Sequence, residues 1–189
     1  MGPGKARLTM GNIQQPKPVK LFIGLLLQGM SFADELVQKL ESEFGPIDHR
    51  SPPIAFTFTE YYQAEMGDGL TRVFYSFRDL IDPGRLKVIK TRTNEFETFF
   101  AEKYSTSSVS RPCNLDPGYI EASKVILAST KNYSHRIYLS DGIYAEVTLQ
   151  YQNKHFTSLP WTYPDFKTVE YQNFLDQART RLINQLKQS

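Results

Sequence analysis

A single cysteine, Cys113, stands among the 189 residues, so no intrachain disulfide and no multi-cysteine metal site can form. That usage suits a reducing cytosol, and a cytoplasmic protein is expected. Long apolar runs are also missing. The longest, Leu21–Leu27, is seven residues, against the roughly 20 that a membrane-spanning helix needs. No small-residue cleavage site follows it, so it reads as a buried strand rather than a signal-peptide core, and no membrane partner is expected. Excess charge is scarce too. The formal net charge is +2, yet residues 1–20 hold Lys5, Arg7, Lys17 and Lys20 without an acid, leaving 18 bases against 20 acids beyond them. A slightly acidic body is a poor polyanion binder, which argues against nucleic acid as a partner.

What is present suits a packed domain: 40 % apolar and 22 % charged residues, ordinary for a globular chain. Residues 1–18 read as a flexible basic tail, and residues 19–189 as a single α+β domain. Val19–Leu27 is nearly continuous in apolar character, the mark of a strand buried on both faces. Ser31 with Asp34 reads as a capping box for a helix whose Leu36, Leu40 and Phe44 share one face, ended by Gly45-Pro46. Ala55–Thr59 suits a short strand and Leu70–Phe77 a longer one. Asp82-Pro83 opens a second helix, with Leu86, Ile89, Thr93, Phe96 and Phe100 as its buried stripe to about Tyr104. Val125–Ala128 favours a strand. Asp141-Gly142 is the strongest turn signal, joining Arg136–Leu139 to Ile143–Tyr151 in a hairpin. A turn at residues 152–154 leads to a strand at His155–Ser158. A last helix from Thr168 buries Tyr171, Leu175, Ala178, Leu182 and Leu186. The order implies a single-domain sandwich with a mixed or antiparallel sheet: a ferredoxin-like βαββαβ core, added hairpin strands and a C-terminal helix. Two Φ-D-P-G tetrapeptides, Ile81–Gly84 and Leu115–Gly118, read as turn or capping chemistry.

Several motifs carry a resemblance: Asn114-Leu115-Asp116-Pro117-Gly118-Tyr119, His135-Arg136-Ile137-Tyr138-Leu139, Ile143–Leu149, and Leu159-Pro160-Trp161-Thr162-Tyr163-Pro164-Asp165, together with Pro18–Gly24 and Phe44–Asp48. Over roughly residues 18–188 the chain resembles an uncharacterised bacterial and archaeal domain-of-unknown-function family. The resemblance implies a prokaryotic protein without an assigned chemistry. Some members carry a GTP-binding label. No G-x-x-x-x-G-K-[ST] loop is present here, and Thr130-Lys131-Asn132 is not a guanine-reading motif.

Candidate site residues follow from residue chemistry. A two-residue Asp141-Gly142 loop pairs Leu139 with Tyr144, Ile137 with Glu146 and His135 with Thr148. That register sets His135 diagonal to Glu146 at roughly 7 Å between backbones, within reach of an imidazole–carboxylate pair. These two are the candidate catalytic residues. Their face, with Thr148, Gln150 and His155, either meets solvent or forms a polar site; Arg136 points to the opposite face in this register. Arg111, Asn114 and Asp116 bring a base, an amide and an acid together, and Lys131 and Arg136 add bases that suit phosphate or carboxylate. Trp161 and Tyr163 supply an aromatic wall, with Glu60-Tyr61-Tyr62 and Glu65 as a comparable segment. His49 and His155, each in an H-x-[ST] triplet, invite comparison with two-histidine phosphoesterases, although Arg50 breaks the expected apolar middle position.

The leading expectation is binding of a small anionic ligand, a nucleotide or phosphate compound. A phosphoesterase or other acid–base enzyme using histidines is the alternative, and a protein-interaction module built on Leu159–Phe166 is a third. No metal ligand set is read, and no cofactor or oligomeric state is legible in the residues.

Overall fold

The computed structural model describes residues 11–188. The elements are β1 (Val19–Leu27), α1 (Ala33–Phe44), β2 (Ile47–Arg50), β3 (Ile54–Ala55), α2 (Gln63–Met66), β4 (Thr71–Ile81), α3 (Leu86–Tyr104), β5 (Cys113–Ile120), β6 (Lys124–Ser129), β7 (Ile137–Ser140), β8 (Ile143–Gln152), β9 (His155–Ser158) and α4 (Val169–Gln188). All strands join one antiparallel sheet in the order β2-β4-β1-β5-β6-β8-β7, with β3 on β4 and β9 on β8. The first four strands in that order, with α1 and α3 as crossovers, are the expected ferredoxin-like unit, and the later hairpins extend its sheet.

The central strand explains the layers. Leu21, Ile23, Leu25 and Leu27 face α1 and α3, where they meet Leu36, Leu40, Ile89, Phe96 and Phe100. Phe22, on the other parity, faces α4 with Phe74, Tyr171, Phe174 and Leu175. Both faces of the sheet are thus covered by helices, which is why β1 carries no alternation. On β4, likewise, Val73, Tyr75 and Phe77 join the first cluster while Phe74 joins the second.

Three local expectations need correction. Helix α1 starts at Ala33 with no side-chain cap; Phe32 precedes it and packs its ring on Phe100 and Tyr104 instead of a Ser31 cap. The strand expected over 55–59 is only Ile54–Ala55, because the chain turns away into α2. Lys20 lies in β1, where its ammonium is fully buried and bonds Asp48 and, at 2.8 Å, Gln185 Oε1. Residues 11–18 are exposed and lack regular structure, while residues 1–10 of the expected tail lie outside the described residues.

The third correction matters most. Leu115–Gly118 is no turn; it lies inside β5, paired with β1 along its whole length. Its sister Ile81–Gly84 does act as expected, Asp82 accepting from the Gly84 amide at 2.7 Å ahead of α3. In β5 the Pro117-Gly118 pair divides the strand. Gly118–Ile120 pair with β6, whereas residues 113–117 have no β6 partner. Proline offers no amide to a ladder, so the seam opens at Pro117. At Gly118 the two strands come so close that an added Cβ would sit 2.4 Å from the Ile126 carbonyl oxygen and 2.9 Å from the Phe22 ring. Gly118→Ala is therefore expected to lower unfolding stability by about 2–3 kcal/mol, read as a fall in the urea midpoint at unchanged slope.

Candidate functional site

The opened seam between β5 and β6 becomes a cleft of about 850 Å³, walled by the α2 segment on one side and by the β6–β7 turn and the loop before α4 on the other. Five bases (Arg72, Lys90, Arg111, Lys131, Arg136) and five acids (Glu65, Glu97, Asp116, Glu146, Asp165) line it.

On the β5 wall these groups form one continuous chain. Arg111 donates to Glu97 Oε2 at 2.5 Å and to Asn114 Oδ1. Asn114 Nδ2 donates to Asp116 Oδ2 at 2.7 Å, and Arg72 Nη1 to the same oxygen at 3.1 Å. Helix α3 completes the unpaired strand edge: Glu97 Oε1 accepts from the Leu115 amide at 2.7 Å, and Lys90 donates to the Leu115 carbonyl at 2.8 Å. Two side chains thus take the place of a neighbouring strand, satisfying backbone groups that the open seam would otherwise leave bare. Gly24 makes the Arg72–Asp116 pair possible, since it lies opposite Asp116 in β1 and an added Cβ there would be 3.2 Å from Arg72 Nη1.

The opposite wall turns on Glu146. It is buried and accepts from His135 Nε2 at 3.1 Å, Arg136 Nε at 2.8 Å and Thr148 Oγ1 at 3.2 Å. The expected His135–Glu146 contact exists, but not in the expected register. A bulge between Tyr138 and Ser140 pairs Ile137 with Ala145, and His135 sits in the turn before β7. The same shift brings Arg136 onto the same carboxylate rather than the opposite face. Arg136 also bonds the Lys131 carbonyl at 2.9 Å and the Tyr163 hydroxyl.

The polar face of β8 is not open to solvent around Glu146 and Thr148. Trp161 Nε1 donates to the Val147 carbonyl at 2.8 Å and Thr162 Oγ1 to that of Thr148 at 2.5 Å, folding the 159–163 loop over both residues. Trp161 stacks on His135, ring centroids 5.2 Å apart and planes nearly parallel.

Of the nine residues expected at a site, Arg111, Asn114, Asp116, Lys131, Arg136, Glu146 and Tyr163 line this one cleft, so the concern that opposite sheet faces would separate them does not hold. His135 and Trp161 stand one layer behind the wall. His49 of β2 stacks on Phe174 of α4, and His155 of β9, at the far end of the sheet, bonds the Asn153 carbonyl; neither lines the cleft. Cys113 is buried, and burial pushes its thiol up to about 12, far from a nucleophile's range. Among the described residues no cluster of three or more histidine, cysteine or acidic groups suits a metal, and no helix is long and apolar enough to cross a membrane.

Arg72, Lys90, Glu97 and Asp165 are cleft residues that sequence reasoning missed. A signal existed for Lys90, which follows Leu86 by four and so lies on the helix's own apolar stripe. Arg72 shares its strand face with Phe74, a hint that this face is not solvated.

Architecture and site together define an α+β domain with a charged cleft where its single sheet divides. Residues 17–182 match the model of the family described as a domain of unknown function, DUF4416, and the chain belongs to that family. No curated protein and no solved structure matches it.

Two carboxylates in the cleft carry opposite energetic signs. Burial alone acts upward on Asp116, but the Arg72 and Lys90 charges and the Asn114 amide outweigh it and hold the carboxyl below its usual range. Burial pushes Asp165 up, with Arg72 only partly opposing, and among the described residues no base forms an ion pair with it. Asp116→Ala is thus expected to cost about 3–5 kcal/mol at pH 7, because Arg72 is left buried and unpaired. That deficit shrinks as pH falls below about 4, where the native carboxylate's advantage is lost. Asp165→Asn is expected to stabilise the ligand-free protein at pH 7, by a few degrees in Tm if the gain is about 1 kcal/mol. Its gain shrinks as pH falls and is gone below about pH 4, where the acid becomes neutral in the unfolded chain as well as in the folded one. Urea unfolding of both variants from pH 2 to 7 checks the two signs.

Proposed function

We propose that the cleft binds a small anionic ligand of the phosphate-compound or nucleotide class. The supporting observation is the pairing pattern inside it. Arg72 is matched by Asp116, Lys90 and Arg111 by Glu97, and Arg136 by Glu146. Lys131 is the cleft base that forms no carboxylate pair among the described residues. It sits exposed at the mouth, its ammonium 4.1 Å from the Tyr61 ring centroid and bonded to the Tyr61 hydroxyl. A ligand anion entering there meets one uncommitted charge and guanidinium groups already held in place by their carboxylates, which lowers the ordering cost of binding. Tyr61, Tyr62 and Tyr163 offer ring faces to the rest of the ligand.

The acid–base alternative has less support in this geometry. Glu146 is committed to three donors, and His135 is held between Trp161 and Tyr133. Both contacts tie the β6–β7 turn to β8. For the interaction-module alternative, Trp161 and Thr162 tie the 159–163 loop to β8, while Trp161 and Tyr163 remain partly exposed.

Calorimetric and thermal-shift titration with inorganic phosphate, sugar phosphates and nucleotides tests the reading. At least one of these is expected to bind saturably, adding about 2.7 kcal/mol of stability at 100 times its Kd. Lys131→Ala, an exposed change, should leave the ligand-free Tm unaltered and weaken that binding at least about tenfold. A flat response to all of them, or an equal response in Lys131→Ala, contradicts the reading.

A further inference from the structure

The cleft's second uncommitted group lies at its buried end. Asp165 is 6 % exposed, lines the cleft, and accepts from the Phe166 amide at 3.1 Å; among the described residues it forms no ion pair, unlike Glu65, Glu97, Asp116 and Glu146. Beside it stand the buried Arg72 guanidinium and the Tyr171 hydroxyl. Arg72 Nε and Tyr171 Oη are buried without a hydrogen bond of ordinary geometry. A native core leaves few such groups unmatched, so two of them beside an acid that no base pairs ask for an explanation.

We infer, resting on the anion-binding reading above, that the buried end of the cleft recognises hydroxyl groups through Asp165, so that the ligand is a hydroxylated phosphate of the sugar- or polyol-phosphate class. A carboxylate calls for a donor. An ammonium would supply one, but the adjacent Arg72 charge repels it, and an ammonium has no lone pair to offer the neighbouring donors. A hydroxyl both donates and accepts. It satisfies Asp165 without adding charge beside Arg72, and its oxygen suits a donor-rich surrounding. The cleft is then polar at both ends in different senses: a cation at the exposed mouth for the phosphate, and a buried acceptor for the hydroxyls. Asp165 is held for this by its loop, its backbone carbonyl accepting from the Thr168 hydroxyl at 2.8 Å and its side chain bonding Phe166.

The test compares three probes by calorimetry: ribose 5-phosphate, butyl phosphate, which lacks the hydroxyls, and phosphoethanolamine, which carries an ammonium instead. Ribose 5-phosphate is expected to bind at least about tenfold tighter than either of the others, the scale of one hydrogen bond to a charged group. Asp165→Asn, which keeps the shape and the Phe166 contact, should bring ribose 5-phosphate to within about threefold of butyl phosphate and leave butyl phosphate unchanged. Lys131→Ala should weaken both by the same factor and preserve their ratio. Equal wild-type affinities for ribose 5-phosphate and butyl phosphate, or a preference that survives Asp165→Asn, overturn the hydroxyl inference while the anion reading stands. A preference for phosphoethanolamine overturns it in favour of a zwitterion. No binding of any probe, while inorganic phosphate or a nucleotide binds, overturns the hydroxyl inference alone; no binding of any of these removes both.

Discussion

A guanidinium buried inside a β-sheet demands a partner, and in this protein the Arg72–Asp116 pair meets that demand across the central strand. Arg72 is 4 % exposed and projects from β4, Asp116 from β5, and β1 runs between them with Gly24 where a side chain would intrude. Such a pair adds little net stability over an apolar core, and breaking it is expensive. What it does here is organise. Asp116 aligns Asn114, Asn114 aligns Arg111, and Arg111 fixes Glu97, which with Lys90 holds the unpaired edge of β5. The same chain of bonds is the wall of the cleft.

The cleft itself exists because one strand changes partners halfway. Beyond Pro117, β5 is a normal interior strand; before it, the neighbouring strand departs and helix side chains take over its role. An interior sheet position buried on both sides is an unusual place for a charged opening. The cost is carried by pairing: four of five bases and four of five acids neutralise one another at short range. The two left over, Lys131 at the mouth and Asp165 at the buried end, give the cleft its chemical polarity.

Much of the architecture was legible in the chain. The continuous apolar run of β1, the helix stripes and the Asp141-Gly142 turn each follow from local periodicity, and their order implies the ferredoxin-like core. Residue chemistry also singled out Arg111, Asn114, Asp116, Lys131, Arg136, Glu146 and Tyr163, which the fold gathers in one place. What local rules could not supply was the meaning of Asp116-Pro117-Gly118. Those residues favour turns, and their pairing with β1, joined by β6 at Gly118, keeps them extended. The hairpin register failed for a comparable reason: the bulge near Leu139 is set by His135 and Arg136 both reaching Glu146, a long-range demand that a turn rule does not contain. Arg72 and Asp165 stayed hidden because a charge in a strand or loop reads as solvated until its tertiary partners are known.

The central claim, that ligand enters where β5 and β6 part, is tested most directly by amide NMR. Spectra of the protein titrated with the tightest-binding phosphate compound locate the site without any substitution. The account predicts saturable shifts grouped at residues 114–116, 129–136 and 163–166, with the α1 face and the β2 edge unmoved. Shifts centred on the β2 edge or on β9, with those three segments silent, would contradict it.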